Sequence, residues 1–151
     1  QNVDGLHQVA GSDPKKVVEI HGNVQEAVCL SCDWRDKIEP VLERVRKGEE
    51  DPHCECGGLI KTATILFGQN LIPEDLKRML EALDSSDLLL TIGTSLQVFP
   101  VASVIDGAVM RDIKIVILNG EPTPMDIYAD VVVNGSISEV LPLILKEQDP
   151  K

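Results

Sequence analysis

Four cysteines stand in two close pairs, Cys29-x-x-Cys32 and, after 21 intervening residues, Cys54-x-Cys56-Gly57-Gly58. Two tight turns that each offer a pair of thiolates suit a tetrahedral Zn²⁺, and a site closed by four sulfurs leaves no position for water, so its role is structural. Two disulfides are the other use of such pairs, but no stretch reads as a secretory signal, and the spacing favours zinc. The second pair is one residue shorter than the usual C-x-x-C, and His53 beside it is a substitute ligand should Cys54 be out of place. Four free buried thiols fit poorly with pairs this close and polar.

His21 follows an apolar run and precedes Gly22, so its ring is expected to face a crevice, where an imidazole can act as a general base near neutral pH. The plain alternative is a hydrogen-bonding histidine at a strand end. His7 is expected to be structural, on the same face of a helical turn as Val3 and Ala10. Three polar loops close apolar runs: Gly93-Thr94-Ser95, Asn119-Gly120-Glu121 and Asn134-Gly135-Ser136. The first can offer backbone N–H groups and hydroxyls to a phosphate, and the second can hold a ribose. Each alone is equally an ordinary turn; together they point to a nucleotide-type ligand as readily as to three turns.

These groups need elements to hold them. Residues 3–10 read as a short helical turn, 17–20 and 24–28 as strands, and 38–47 as a helix with Ile38, Val41, Leu42 and Val45 on one face. Residues 51–58 form a turn-rich knuckle, and 59–67 alternate as a strand ending at Gly68. Pro73 opens a helix through Leu83, at a first-turn position where its missing N–H costs nothing. The run 88–92 is apolar apart from Thr91, as in a parallel strand covered on both faces. A helix over 101–110, strands over 114–118 and 130–133, and a last helix over 137–145 complete the pattern, with a frayed tail at 146–151. Strand, polar loop and helix in alternation predict an α/β fold whose ligands bind at the C-terminal strand ends.

The chain has 151 residues, 43% of them hydrophobic and 26% charged, enough for one core plus a small metal-held insert. Aromatic residues are only 3%, so Val, Ile, Leu and Ala must fill that core. The net charge of −11 argues against nucleic acid as a direct partner and is compatible with a basic peptide. Apolar runs such as Ile115-Val116-Ile117-Leu118 are too short to span a bilayer, so no membrane partner is expected. Gln1 is not an initiator methionine, and a segment upstream of it is expected.

In order and spacing, the elements QNVDGLHQVAG, EIHG, the two cysteine pairs, CGGLIKTATILFGQ, LTIGTSLQVFPVA, IVILNGEPT and NGSISEVLPLIL resemble the sirtuin (Sir2) family of NAD-dependent protein lysine deacylases along almost the whole chain. The KTATILFGQ variant resembles a bacterial branch, with Gln69 where other members carry Glu. The resemblance implies a Rossmann-type parallel sheet, incomplete at its N-terminal side, over 1–23 and 63–151, with a zinc-ribbon insert over 24–62. It implies that Gln1 and Asn2 line the nicotinamide and ribose region, that Asp4 lies close to the nicotinamide pocket, and that His21 is the catalytic base. Gly93, Thr94 and Ser95 would contact the NAD phosphates and ribose, Asn119 and Glu121 the adenosine ribose, and Ser136 and Ile137 the adenine. Ile65, Leu66, Phe67 and Gly68 match the strand and loop that pair with an acyl-lysine peptide by strand addition. Cys29, Cys32, Cys54 and Cys56 would hold the zinc outside the chemistry. The implied products are free lysine, nicotinamide and O-acyl-ADP-ribose, and the implied compartment is the cytoplasm.

The family's opening strand, its GAGxS phosphate loop and its G-I-P-D-F-R segment have no counterpart here. The sheet is therefore expected to lack a central strand and to expose strand edges and apolar surface. These residues alone are expected to be poorly stable and nearly inactive. Two other readings accompany the deacylase: a mono-ADP-ribosyltransferase of the same fold, and a non-catalytic zinc- or NAD-binding module.

Overall fold

The structure is a computed structural model that describes residues 1–146, and its chain divides into two compact units, residues 1–79 and residues from 80 onward. In the first unit, helix α1 (Leu6–Val9) and a 3₁₀ turn (Pro14–Lys16) precede strand β1 (Gly22–Cys29). Strand β2 (Arg35–Lys37), helix α2 (Glu39–Arg46), strand β3 (Ile60–Thr64) and the start of helix α3 (Pro73–Asp84) follow. The three strands form an antiparallel sheet in the order β2-β1-β3, with Ala27 opposite both Asp36 and Thr62.

Between Gly22 and Ala27 the pairing of β1 with β3 slips, so N–H groups there need partners outside that pairing. The buried Asn23 supplies them: its Oδ1 accepts from the N–H of Gln25 (3.1 Å) and Glu26 (3.0 Å). Its Nδ2 donates to the carboxylates of Glu19 and Glu26, both at 3.0 Å. Arg35 pairs with the same Glu26 carboxylate and, with Asn23, holds its pKa below the usual range. The strand expected over 17–20 does not form. Those residues have no ladder partner among the described residues, and the Arg78 guanidinium donates to the carbonyls of Lys15 (3.3 Å) and Val17 (3.0 Å). Helix α1 buries no residue, and His7, expected to be structural, lies exposed on it.

The second unit holds strand β4 (Leu88–Ile92), a 3₁₀ turn (Val101–Ser103), helix α4 (Val104–Met110) and strand β5 (Lys114–Asn119). A further 3₁₀ turn (Asp126–Tyr128), strand β6 (Val131–Asn134) and helix α5 (Ile137–Lys146) complete it. Apart from Lys146, the expected tail lies outside the described residues. The strands are all parallel, in the order β4-β5-β6. Ile105 and Ala108 of α4 pack with Leu83, Leu96, Ile113, Ile115 and Ile117 into one aliphatic cluster. Gly107 lets Leu83 approach; a Cβ there would meet its Cδ2 at 2.9 Å.

Strand β4 departs from the expected two-sided burial. Leu89 joins the core and Thr91 is buried, but Leu88, Leu90 and Ile92 are 53%, 40% and 37% exposed. Side chains alternate across a strand, and only one face is packed among the described residues. The outer edge of β4 likewise carries no ladder partner among them, in keeping with the exposed edges and apolar surface expected of an incomplete sheet.

Asp130 ties together the N-terminal ends of β5 and β6. One carboxylate oxygen accepts from the Ile115 N–H (2.9 Å) and the other from Lys114 Nζ (2.9 Å). These donors, the Ile115 N–H foremost, hold the Asp130 pKa below the ordinary aspartate value. The stability this carboxylate lends is therefore present above the unfolded-state pKa and lost as pH falls through the lower folded-state value. Asp130→Asn is expected to remove that part of the acid dependence, so that the Tm difference from the parent protein narrows on acidification; a constant difference would contradict it.

Candidate functional site

Four sulfurs come together at one end of the antiparallel sheet. Cys29 closes β1, Cys32 follows on a turn, and Cys54 and Cys56 sit on a second turn closed by Gly57 N–H to the Cys54 carbonyl (2.8 Å). All four Sγ atoms lie within 4.8 Å of one another, with Cys29 to Cys56 at 3.5 Å and Cys32 to Cys54 at 3.7 Å. A tetrahedral Zn²⁺ with Zn–S near 2.3 Å requires sulfurs about 3.8 Å apart, so the set fits. The shortened second pair thus reaches the cluster, and His53 stays out of it, its Nδ1 contacting the Asp51 carbonyl at 2.7 Å. Backbone N–H groups of Ser31 (3.3 Å) and Gly58 (3.4 Å) donate to Cys29 and Cys56. A Cβ on Gly58 would fall 2.6 Å from Cys29 Sγ, so only glycine closes this knuckle.

The thiols do not share charge evenly. The Ser31 N–H, then the Cys56 thiol, bring Cys29 down to about 7. At Cys32 the Trp34 N–H favours the thiolate, but contacts with the other three thiols and desolvation outweigh it and push the group up to about 12. A divalent cation removes this conflict by binding all four as thiolates.

At the other end of β1, the turn before the strand carries His21. It closes with Gly22 N–H on the Glu19 carbonyl (2.8 Å), and Ile65 N–H donates to the His21 carbonyl (2.8 Å). Gly22 has φ +71°, and a Cβ there would stand 1.9 Å from the Ala63 carbonyl oxygen. The half-buried His21 ring places Nδ1 3.3 Å from the Gln1 carbonyl. A carbonyl only accepts, so this contact selects the tautomer with hydrogen on Nδ1 and leaves the Nε2 lone pair as the basic site. The N-terminal segment is laid against β1 by Val24 N–H to the Val3 carbonyl (2.9 Å) and Gln25 Nε2 to the Asp4 carbonyl (3.2 Å). Gln1, Asn2 and Asp4 thereby share the His21 end of the strand.

The second unit gathers the three polar loops at the C-terminal edge of its sheet. The register aligns Ile92 with Leu118 and Asn119 with Asn134. Gly93 N–H then donates to the Leu118 carbonyl (2.9 Å) and Gly135 N–H to the Asn119 carbonyl (3.1 Å). Gly93 has φ +62°, and a Cβ there would meet Ile137 Cδ1 at 2.7 Å, so the first and third loops touch. Thr94 Oγ1 accepts from Leu96 N–H (3.2 Å), Asn119 Nδ2 donates to the Glu121 carbonyl (2.7 Å), and Ser136 Oγ lies 2.9 Å from Ser138 Oγ. Gly93, Thr94, Ser95, Asn119, Glu121, Ser136 and Ile137 thus share one sheet edge, as ligand binding in an open α/β sheet requires. Ile65, Leu66, Phe67 and Gly68 all lie beyond the end of β3, on a loop instead of a strand. Sequence reading assigns no role to Gly22 or Asn23. A glycine directly after the histidine, and an amide placed to turn back on the next N–H groups, are the signals that mark them.

Residues 1–100 match the model of the Sir2 family. The chain is 43% identical over 147 residues to NAD-dependent protein deacetylase 2 of Streptomyces coelicolor, which spans 97% of this chain and 61% of that protein. It is 46% identical over 147 residues to the NAD-dependent protein deacetylase of Sulfolobus acidocaldarius, 96% of this chain and 56% of that one. A solved Sir2 structure with a p53 peptide and NAD⁺ aligns at a TM-score of 0.90 and 34% identity, over 97% of this chain and 60% of that one. The chain spans about three-fifths of the length of these relatives. It belongs to the Sir2 family.

Two outcomes follow from this geometry. Chelation, or Cys29→Ser, is expected to remove about one bound zinc per chain and lower Tm; full stability with no bound metal would contradict it. Gly22→Ala is expected to displace the His21 turn and cost several kcal/mol through the clash with a backbone oxygen and the positive φ. A stability within about 1 kcal/mol of the parent, read by urea unfolding, would show that the turn yields.

Proposed function

We propose that the chain is the larger part of the catalytic domain of an NAD-dependent protein lysine deacylase. The observation that carries this reading is the gathering of three polar loops at one parallel sheet edge in a Sir2-family chain, which supports NAD as the ligand. On this reading 1–23 and 63–151 belong to the nucleotide-binding domain and 24–62 are its zinc-ribbon insert. Gly93, Thr94 and Ser95 take the phosphates and nearby ribose of NAD. Asn119 and Glu121 take the adenosine ribose, Ser136 and Ile137 the adenine. Gln1, Asn2 and Asp4 serve the nicotinamide end. Ile65, Leu66, Phe67 and Gly68 receive the acyl-lysine peptide as an added strand.

His21 is the base: its Nε2 takes the proton of a ribose hydroxyl as the acyl group passes from lysine to ADP-ribose. One water is consumed in cleaving the amide, and nicotinamide, free lysine and O-acyl-ADP-ribose leave. Zinc, held by Cys29, Cys32, Cys54 and Cys56, supplies structure and no chemical step. A reducing compartment such as the cytoplasm keeps those thiols available to the metal. No helix among the described residues is long and apolar enough to cross a membrane.

The test uses the full-length protein with NAD and an acetyl-lysine peptide, with products read by mass spectrometry. Acetylated ADP-ribose and nicotinamide in equal amounts are expected. His21→Ala is expected to lower kcat by about 10²-fold or more with Tm little changed, as loss of a general base does. ADP-ribosylated protein in place of acetylated ADP-ribose, or an active His21→Ala protein, would overturn the reading.

A further inference from the structure

We infer that Gln69 is a positioning residue for the peptide substrate, its side-chain carbonyl clamping the Leu66–Gln69 turn in the shape that receives the added strand. This rests on the reading of residues 65–68 as the peptide-receiving loop. Past the end of β3 the backbone is tied down one group at a time. Ile65 N–H donates to the His21 carbonyl (2.8 Å), which roots the loop on the turn that bears the base. Leu66 N–H donates to Gln69 Oε1 (2.9 Å), and Gln69 N–H donates back to the Leu66 carbonyl (3.0 Å). Gly68 at φ +86° makes the reversal between them. The turn is thus closed twice by one residue, once through its backbone and once through its side chain.

Packing gives the loop little help. Phe67 at its apex is 98% exposed and Leu66 55% exposed, so hydrocarbon contact does little to fix the loop. Among the described residues the Gln69 amide is therefore half of what defines this turn. Its effect on binding is twofold. It withdraws the Leu66 N–H from an incoming strand, leaving pairing to the neighbouring backbone of Phe67 and Gly68. It also pre-orders the loop, so that strand addition loses less conformational entropy on binding. Either an amide or a carboxylate oxygen can accept the Leu66 N–H, whereas a methyl cannot.

The experiment compares Gln69→Ala and Gln69→Glu in the full-length protein. A fluorescein-tagged acetyl-lysine peptide gives the equilibrium Kd by anisotropy, and turnover gives KM and kcat. Gln69→Ala is expected to weaken peptide binding about three- to ten-fold, the effect of one neutral hydrogen bond, with the KM for NAD, kcat at saturating peptide and Tm little changed. Gln69→Glu is expected to restore most of the affinity. Unchanged peptide affinity in Gln69→Ala would overturn the inference, as would equal loss in both variants or a loss shared by NAD affinity and Tm. A parent protein that binds the peptide without forming acetylated ADP-ribose would sink the deacylase reading alone, the clamp then being judged by Kd. A parent protein that binds no peptide would sink both.

Discussion

The segment between β1 and β3 has almost no hydrocarbon to hold it together. Over residues 24–62 its buried apolar side chains are Ala27, Cys29 and Val41, too small a set to offset the chain entropy of nearly forty ordered residues. The four sulfurs supply what the core cannot, since a structural zinc site contributes on the order of 10 kcal/mol of folding free energy in small domains. The consequence reaches beyond the cluster. Cys29 ends the same eight-residue strand that Gly22 begins, so a cluster that fixes one end of β1 also fixes the turn bearing His21 at the other. A metal held at one end of β1 therefore bears on the placement of His21 at the other, through one strand.

The second unit works by a different economy. Its aliphatic cluster under β4 and β5 is dense, with Ile105 and Ile117 fully buried, and it fixes a parallel register that needs no metal. That register brings three loops distant in sequence to one edge, and backbone hydrogen bonds between neighbouring strand ends join them. Thr94 and Asn119 turn back on the backbone of their own loops, so these two loops are held in shape before any ligand arrives.

Both the cluster and the loops were legible because their signals are local: paired cysteines, and glycine- or asparagine-bearing turns after apolar runs. What sequence periodicity could not show was partnership. Residues 17–20 are apolar enough for a strand, but a strand needs a neighbour, and the Arg78 guanidinium takes the Val17 carbonyl that a neighbour would have used. The run 88–92 is apolar at four of its five positions, but whether both faces are covered depends on elements far along the chain, and only one face is packed. Asn23 was hidden for a related reason. An asparagine near a strand start reads as a turn residue, and its burial follows from a register slip in β1 that no composition rule announces.

The contact that sets the His21 tautomer comes from the main-chain oxygen of Gln1, not from a side chain. Every amino acid carries that oxygen, so no point substitution at position 1 can delete it. The protonation pattern of the ring is in this sense written in the path of the backbone, and the side chain at position 1 is free to vary without disturbing which His21 nitrogen carries the hydrogen. Only a change that moves the N-terminal segment off β1, such as an insertion between residues 1 and 5, could alter which nitrogen carries the lone pair.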